Sequence, residues 1–207
     1  MNGIKKQFGS TPVIDENILD VAIGSYQDML GKSRVTQDEL KVLDFETAVQ
    51  GIEGSDYFRG INRSKSAGYP WSKESSKGKT HWFGNNEWTL TSEKALEVKQ
   101  TIEQQIKDME EGIVQPYIFV DTLKDETRKI EKVEQKKTRV FAAGPMDYLI
   151  VFRMYFLGFL AHMMRNRIDN ESAVGIKSQS MEWDLLAKHL LSKGNNMVCV
   201  ATKVPSI

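Results

Sequence analysis

One cysteine, Cys199, stands in 207 residues. An internal disulfide is excluded, a cysteine-built zinc site goes with it, and a reducing compartment is the natural setting. The three histidines, His81, His162 and His189, have no metal-ligand spacing among themselves. His162 is expected to pack inside a helix and His189 to lie on the surface. The start, Met1-Asn-Gly-Ile-Lys-Lys6, lacks the apolar centre of a secretory signal, so a cytosolic location is expected. No uninterrupted apolar run reaches the roughly 20 residues of a membrane span. The longest candidate, 148–164, is broken by Arg153, Gly158 and His162. An arginine near its middle would cost roughly 3 kcal/mol in lipid, so a helix buried in protein is expected and no transmembrane segment.

Net charge is also missing: Lys+Arg and Asp+Glu are 28 each, and the hydrophobic share of 40% is that of an ordinary folded domain. A zero balance by itself argues against a dedicated nucleic-acid binder. The distribution reverses that inference. Residues 59–79 carry Arg59, Arg63, Lys65, Lys73, Lys77 and Lys79 against Glu74 alone, and residues 124–139 carry seven cations against Asp125, Glu126, Glu131 and Glu134. Ten carboxylates within 14–56 face only Lys32, Arg34 and Lys41. Two basic patches in an otherwise acidic chain can attract a polyanion through local fields, although charge runs more often only face water.

Periodicity predicts an amphipathic helix over 15–30, with Gly31 as its C-terminal cap. Thr36-Gln-Asp-Glu39 has the capping-box pattern and predicts a second helix that Gly51 would stop. From 51 to 86 the pattern dissolves into Gly, Ser, Lys and aromatics, and a long, partly ordered loop region is expected, of the kind that carries function. Ala95, Val98, Ile102, Ile106 and Met109 form one stripe of a helix over 92–111. Two strands, 117–123 and 140–143, flank the second basic run. Pro145 opens a long helix over 146–168, a last helix covers 181–193 after Ser180, and 197–204 reads as a strand. The fold class is therefore α+β, helices with a small antiparallel sheet.

Gly68 in Ser66-Ala-Gly-Tyr-Pro70 permits a tight turn, and Pro70 fixes the chain direction behind it. Alone this is a turn; beside Lys65 and Arg63 it can line a strand of nucleic acid. Gly78-Lys79-Thr80 imitates the end of a phosphate-binding P-loop, but the required earlier glycine is Lys73, so that motif is rejected. Trp71, Trp82, Phe83 and Trp88 are read as packing in preference to base stacking.

Taken together, Ser66-Ala67-Gly68-Tyr69-Pro70 followed by Lys124-Asp125-Glu126, Arg128, Lys132 and Lys137-Thr138-Arg139 resembles the RNA-directed RNA polymerases of picorna-like positive-strand RNA viruses, in the dicistrovirus and iflavirus branches. The first element resembles that family's motif G at the template entrance, and the second its motif F over the nucleotide entry path. Phe141-Ala-Ala-Gly-Pro-Met-Asp147 extends the likeness, which covers roughly 30–199. The resemblance implies the fingers region of a right-hand polymerase. It also implies nucleotide binding by Lys124, Arg128, Lys132 and Arg139, and template RNA binding by Lys65, Ser66, Ala67, Gly68, Tyr69 and Pro70. A triphosphate brings about four negative charges, which preplaced cations both steer and offset.

The resemblance further implies Mg2+ held by aspartates of the full-length enzyme. No Asp follows Asp184 and no Gly-Asp-Asp occurs in the sequence. The expectation is thus a fingers region over 1–199, truncated before the palm catalytic motifs, with a divergent tail over 200–207, no catalytic or metal residue of its own, and no activity alone. Implied partners are template RNA, nucleoside triphosphates and the missing palm and thumb, in a replication complex of the host cytoplasm. The alternative is a non-enzymatic, virus-derived fragment that binds RNA or another protein.

Overall fold

The computed structural model describes residues 14–33, 35–177, 179–192 and 194; Cys199 and the strand expected over 197–204 lie outside them. The elements run α1 (Glu16–Gly31), a 3-10 turn (Gln37–Leu40), α2 (Phe45–Gln50), a 3-10 turn (Trp71–Lys73), α3 (Thr80–Phe83), α4 (Glu93–Glu110), β1 (Val120–Leu123), α5 (Ile130–Glu134), β2 (Val140–Ala143), α6 (Met146–Arg165) and α7 (Glu182–Leu191). Among the described residues β1 and β2 form one antiparallel pair, so the α+β expectation holds. The chain divides into a unit of Val42–Leu157 and a unit formed by 14–41 with 158–194 among the described residues.

In the first unit Ser92 Oγ accepts the Ala95 amide at 3.2 Å and starts α4. Ala95, Val98 and Ile102 then face inward, almost fully buried, while Met109 ends the stripe 36% exposed. Around them pack Phe45, Val49, Trp71, Trp82, Phe83 and Ile150. The loop expected over 51–86 therefore supplies part of the core while much of it stays exposed: a 3-10 turn buries Trp71, and α3 buries Trp82 and Phe83. Short elements of three and four residues leave no periodicity to read, which is why the sequence hid them. Arg153, mid-way along α6, donates its Nε to the Ala48 carbonyl at 2.5 Å and its Nη2 to the Arg59 carbonyl. Burial lowers the pKa of that guanidinium. By length and composition α6 could cross a membrane, but its one arginine before the C-terminal turn is satisfied by protein carbonyls. Tyr148, Phe152 and Phe156 stack in series along it, centroids 6.2 and 4.8 Å apart, and Phe156 is 50% exposed.

The second unit corrects the helix expected from Thr36. Glu39 accepts the Thr36 amide at 2.9 Å as the capping box requires, yet the box caps a single 3-10 turn. The Glu39 side chain is only 3% exposed and is claimed by Arg165, through Nε and Nη2 at 2.8 Å each, with His162 Nδ1 3.3 Å away. Burial pushes the Glu39 carboxyl up, but the bonds from Arg165, Thr36 and His162 outweigh it and hold the group at about 2. Past Lys41 the chain is extended, and Asp44 caps a fresh helix by accepting the Thr47 amide at 2.6 Å. Helix α6 stops at Arg165, short of the expected residue 168, and Asn170 is buried where its Oδ1 accepts from Ser33 Oγ at 2.7 Å. His162 is buried as expected. His189 is only partly exposed, its side chain at 22%, with Nε2 3.5 Å from Glu171 Oε1.

Candidate nucleotide and nucleic-acid interface

Strands β1 and β2 pair in the register Val120↔Ala143 to Leu123↔Val140. The Lys124 amide continues the ladder onto the Arg139 carbonyl at 2.8 Å. That last rung sets Lys124 and Arg139 opposite each other at the end of the ribbon. The strand is shorter than the expected 117–123 because Tyr117 and Phe119 leave the ladder to pack their rings on Tyr148, 5.0 and 5.1 Å away. Glu126, its side chain 15% exposed, gathers the cations: Arg128 Nε at 2.7 Å, Arg139 through Nε at 2.7 Å and Nη2, and Lys124 Nζ at 3.8 Å. The bond from Arg139 is the largest influence on the Glu126 carboxyl; burial opposes it, and with the bond from Arg128 added the group is held at about 2. The same bond raises the Arg139 guanidinium. Lys132 is exposed on α5, within the connection between the strands. The structure thus joins Lys124, Arg128 and Arg139 through one carboxylate and leaves Lys132 on the same hairpin without that link.

The 65–70 loop is built differently. Ala67 is buried and its carbonyl accepts the Met146 amide at 2.8 Å. Gly68 has φ +71, and a Cβ there would lie 2.3 Å from the Gly144 carbonyl oxygen, so only glycine fits. The Ser66 hydroxyl accepts the Gly68 amide at 3.2 Å. Lys65 and Pro70 are exposed, Tyr69 is half-buried, and Lys73 Nζ sits 4.6 Å from the Tyr69 ring centre. Arg63, read from sequence as a phosphate contact, is spent on structure. Its guanidinium donates to the carbonyls of Phe83, Asn86 and Glu87 at 3.2, 3.2 and 2.7 Å and stacks 4.0 Å over Trp88.

The family described as viral RNA-dependent RNA polymerase matches residues 11–200. The chain belongs to that family. It is 40% identical over 209 residues to the replicase polyprotein of cricket paralysis virus, covering 96% of this chain and 12% of that one. The replicase polyprotein of acute bee paralysis virus is 39% identical over 199 residues, 94% of this chain and 10% of that one. Among solved structures, the Sicinivirus 3Dpol RNA dependent RNA polymerase shares the fold, with a TM-score of 0.68 at 24% identity, over 89% of this chain and 35% of that one. The chain thus spans about an eighth of the first relative and about a third of the solved polymerase.

Three side chains that sequence reasoning missed hold this polymerase-family loop and hairpin in place. Lys79, 6% exposed, donates Nζ to the carbonyls of Lys65 and Ser66 at 3.2 and 2.7 Å, and burial lowers its pKa. Asp147 accepts Trp71 Nε1 at 3.1 Å and Gln105 Nε2 at 2.7 Å. Gln105 Oε1 in turn accepts the Tyr117 hydroxyl at 3.1 Å. Trp71, Gln105, Tyr117 and Asp147 border a cleft of about 300 Å³ beside Tyr69 and Pro70. No local pattern could reveal them, because Trp71 and Asp147 are 76 residues apart and Gln105 and Asp147 are 42 apart. Among the described residues no group of three His, Cys, Asp or Glu side chains could hold a metal ion.

Proposed function

We propose that this chain is the fingers portion of a viral RNA polymerase and guides template RNA and nucleoside triphosphates toward catalytic groups carried elsewhere. The observation that carries this is the gathering of Lys124, Arg128 and Arg139 around Glu126 at the end of a two-stranded ribbon. Three cations on one carboxylate leave two positive charges in excess, fixed in direction and open to solvent. An arriving triphosphate competes with Glu126 for guanidinium groups that are already oriented, so little ordering cost remains at binding. Lys132 adds charge along the path. Lys65, the Ser66–Pro70 loop and the Tyr69 ring are assigned to the template strand, with Ala67 and Gly68 shaping the loop from inside. Mg2+, palm and thumb are assigned to parts of the full-length enzyme beyond the described residues, and the setting to a replication complex in the host cytoplasm.

Photocrosslinking of a nucleoside triphosphate to the purified chain tests the assignment. Lys124→Ala with Arg139→Ala is expected to reduce labelling at least about tenfold, and labelling should fall steeply as salt rises. Unchanged labelling would show that these two residues do not hold the triphosphate. The chain alone is expected to incorporate no nucleotide on a primed template; measurable incorporation would place the chemistry within these 207 residues.

A further inference from the structure

Asp147 is 5% exposed and gives both carboxylate oxygens to neutral donors, Trp71 Nε1 and Gln105 Nε2. A buried carboxylate is costly unless its surroundings favour the charge. Its place in the first turn of α6 does so, because free amides and the helix dipole are directed there. Each partner leads to a different part of the proposed interface. Trp71 directly follows Pro70. Asp147 lies four residues past the end of β2, and its neighbour Met146 binds the Ala67 carbonyl. Gln105 reaches Tyr117, three residues before β1.

The direction of every bond in this chain is fixed. Because Gln105 gives Nε2 to Asp147, its Oε1 must accept, and the Tyr117 hydroxyl must donate. Burial and the Asp147 charge push that hydroxyl up to about 12, so it stays protonated. A carboxylate is the one group of this size that accepts on both sides. An alanine at 147 would accept from neither donor and break both arms, whereas an asparagine could keep them, since Gln105 can flip to accept from it and donate to the Tyr117 hydroxyl.

We infer that Asp147 is a positioning residue that fixes the 65–70 loop and the cation hairpin at one separation, so that RNA at the loop and a triphosphate at the hairpin bind cooperatively. This rests on the proposed function above. The test measures the affinity of the full chain for ATP with and without a saturating eight-nucleotide single-stranded RNA, and the thermal midpoint of each variant. RNA is expected to tighten ATP at least about fivefold in the wild type. In Asp147→Ala and Tyr117→Phe that ratio should fall below about twofold while the affinity for ATP alone stays within about twofold. Tyr117→Phe removes one hydroxyl from a ring that keeps its packing, so it reports even where Asp147→Ala does not fold. A wild type that binds both ligands independently, or a Tyr117→Phe variant with wild-type coupling, overturns the inference and leaves the proposed function standing. A wild type that binds neither ligand overturns both.

Discussion

The 65–70 loop, inside the 59–79 basic patch, and the 124–139 hairpin both lie in basic parts of the sequence, yet they use their charges in different ways. Around the loop two of the cations turn inward, Lys79 and Arg63 being committed to backbone carbonyls while Lys65 and Lys73 stay exposed, and the turn itself is pressed against Gly144 and Met146. On the hairpin the strands are largely exposed on both faces, and the cations are displayed around Glu126. The first region obtains its shape from packing and tolerates little change. The second obtains its shape from a backbone ladder and one shared anion, so its side chains are free to answer to a ligand. Charge runs in a sequence therefore divide into those that build and those that present, and burial of the ammonium or guanidinium decides which.

The sharpest break of this contrast is Gly68→Ala. With φ +71 and the Gly144 oxygen in the way, it should cost about 3 kcal/mol or more and lower the urea midpoint accordingly. Glu126→Gln probes the other side. The Lys124 and Arg139 side chains are 48% and 59% exposed, so the thermal midpoint should move by no more than about 2 °C. Inorganic triphosphate should bind more tightly at low ionic strength, because the same cations lose their anion. A large loss of stability there would mean that the hairpin too is held by its charges.

Titration gives the smallest effects and separates the regions by pH range. The Glu126 carboxyl is depressed to about 2. Its ion pairs are therefore fully formed above the ordinary carboxylate range and are lost as pH falls toward 2, which the carboxyl carbon resonance would report. The Lys79 pKa is lowered by burial, so the unfolded chain binds its proton more readily. Stability should consequently rise slightly as pH climbs toward the ordinary lysine value, read by urea melts at alkaline pH.

Long periodic elements and both flanks of the hairpin were legible in the sequence. Helix α4 lies within a residue of its expected span because Ser92, a stripe at helical spacing and Gly112 all agree. Strand β2 matches the expected bounds. Where tertiary demand overruled a local signal the sequence misled. Thr36–Glu39 is a sound capping box, but the buried carboxylate answers to Arg165 across 126 residues and only one turn follows. Arg63 looked like a phosphate ligand because nothing nearby announced the three carbonyls that converge on it. The same distance hid the partners of Asp147, although 141–147 is already part of the family likeness.

Arg153 has a consequence for how the molecule is made. Its acceptors, the carbonyls of Ala48 and Arg59, are synthesised about a hundred residues earlier and stand ready when the long apolar helix emerges. Without them a charge would be stranded midway along a greasy rod, where a chaperone or a bilayer would compete for it. The 48–59 segment therefore shields the one charge in the middle of that helix, and a cut within it is expected to promote aggregation, read by light scattering.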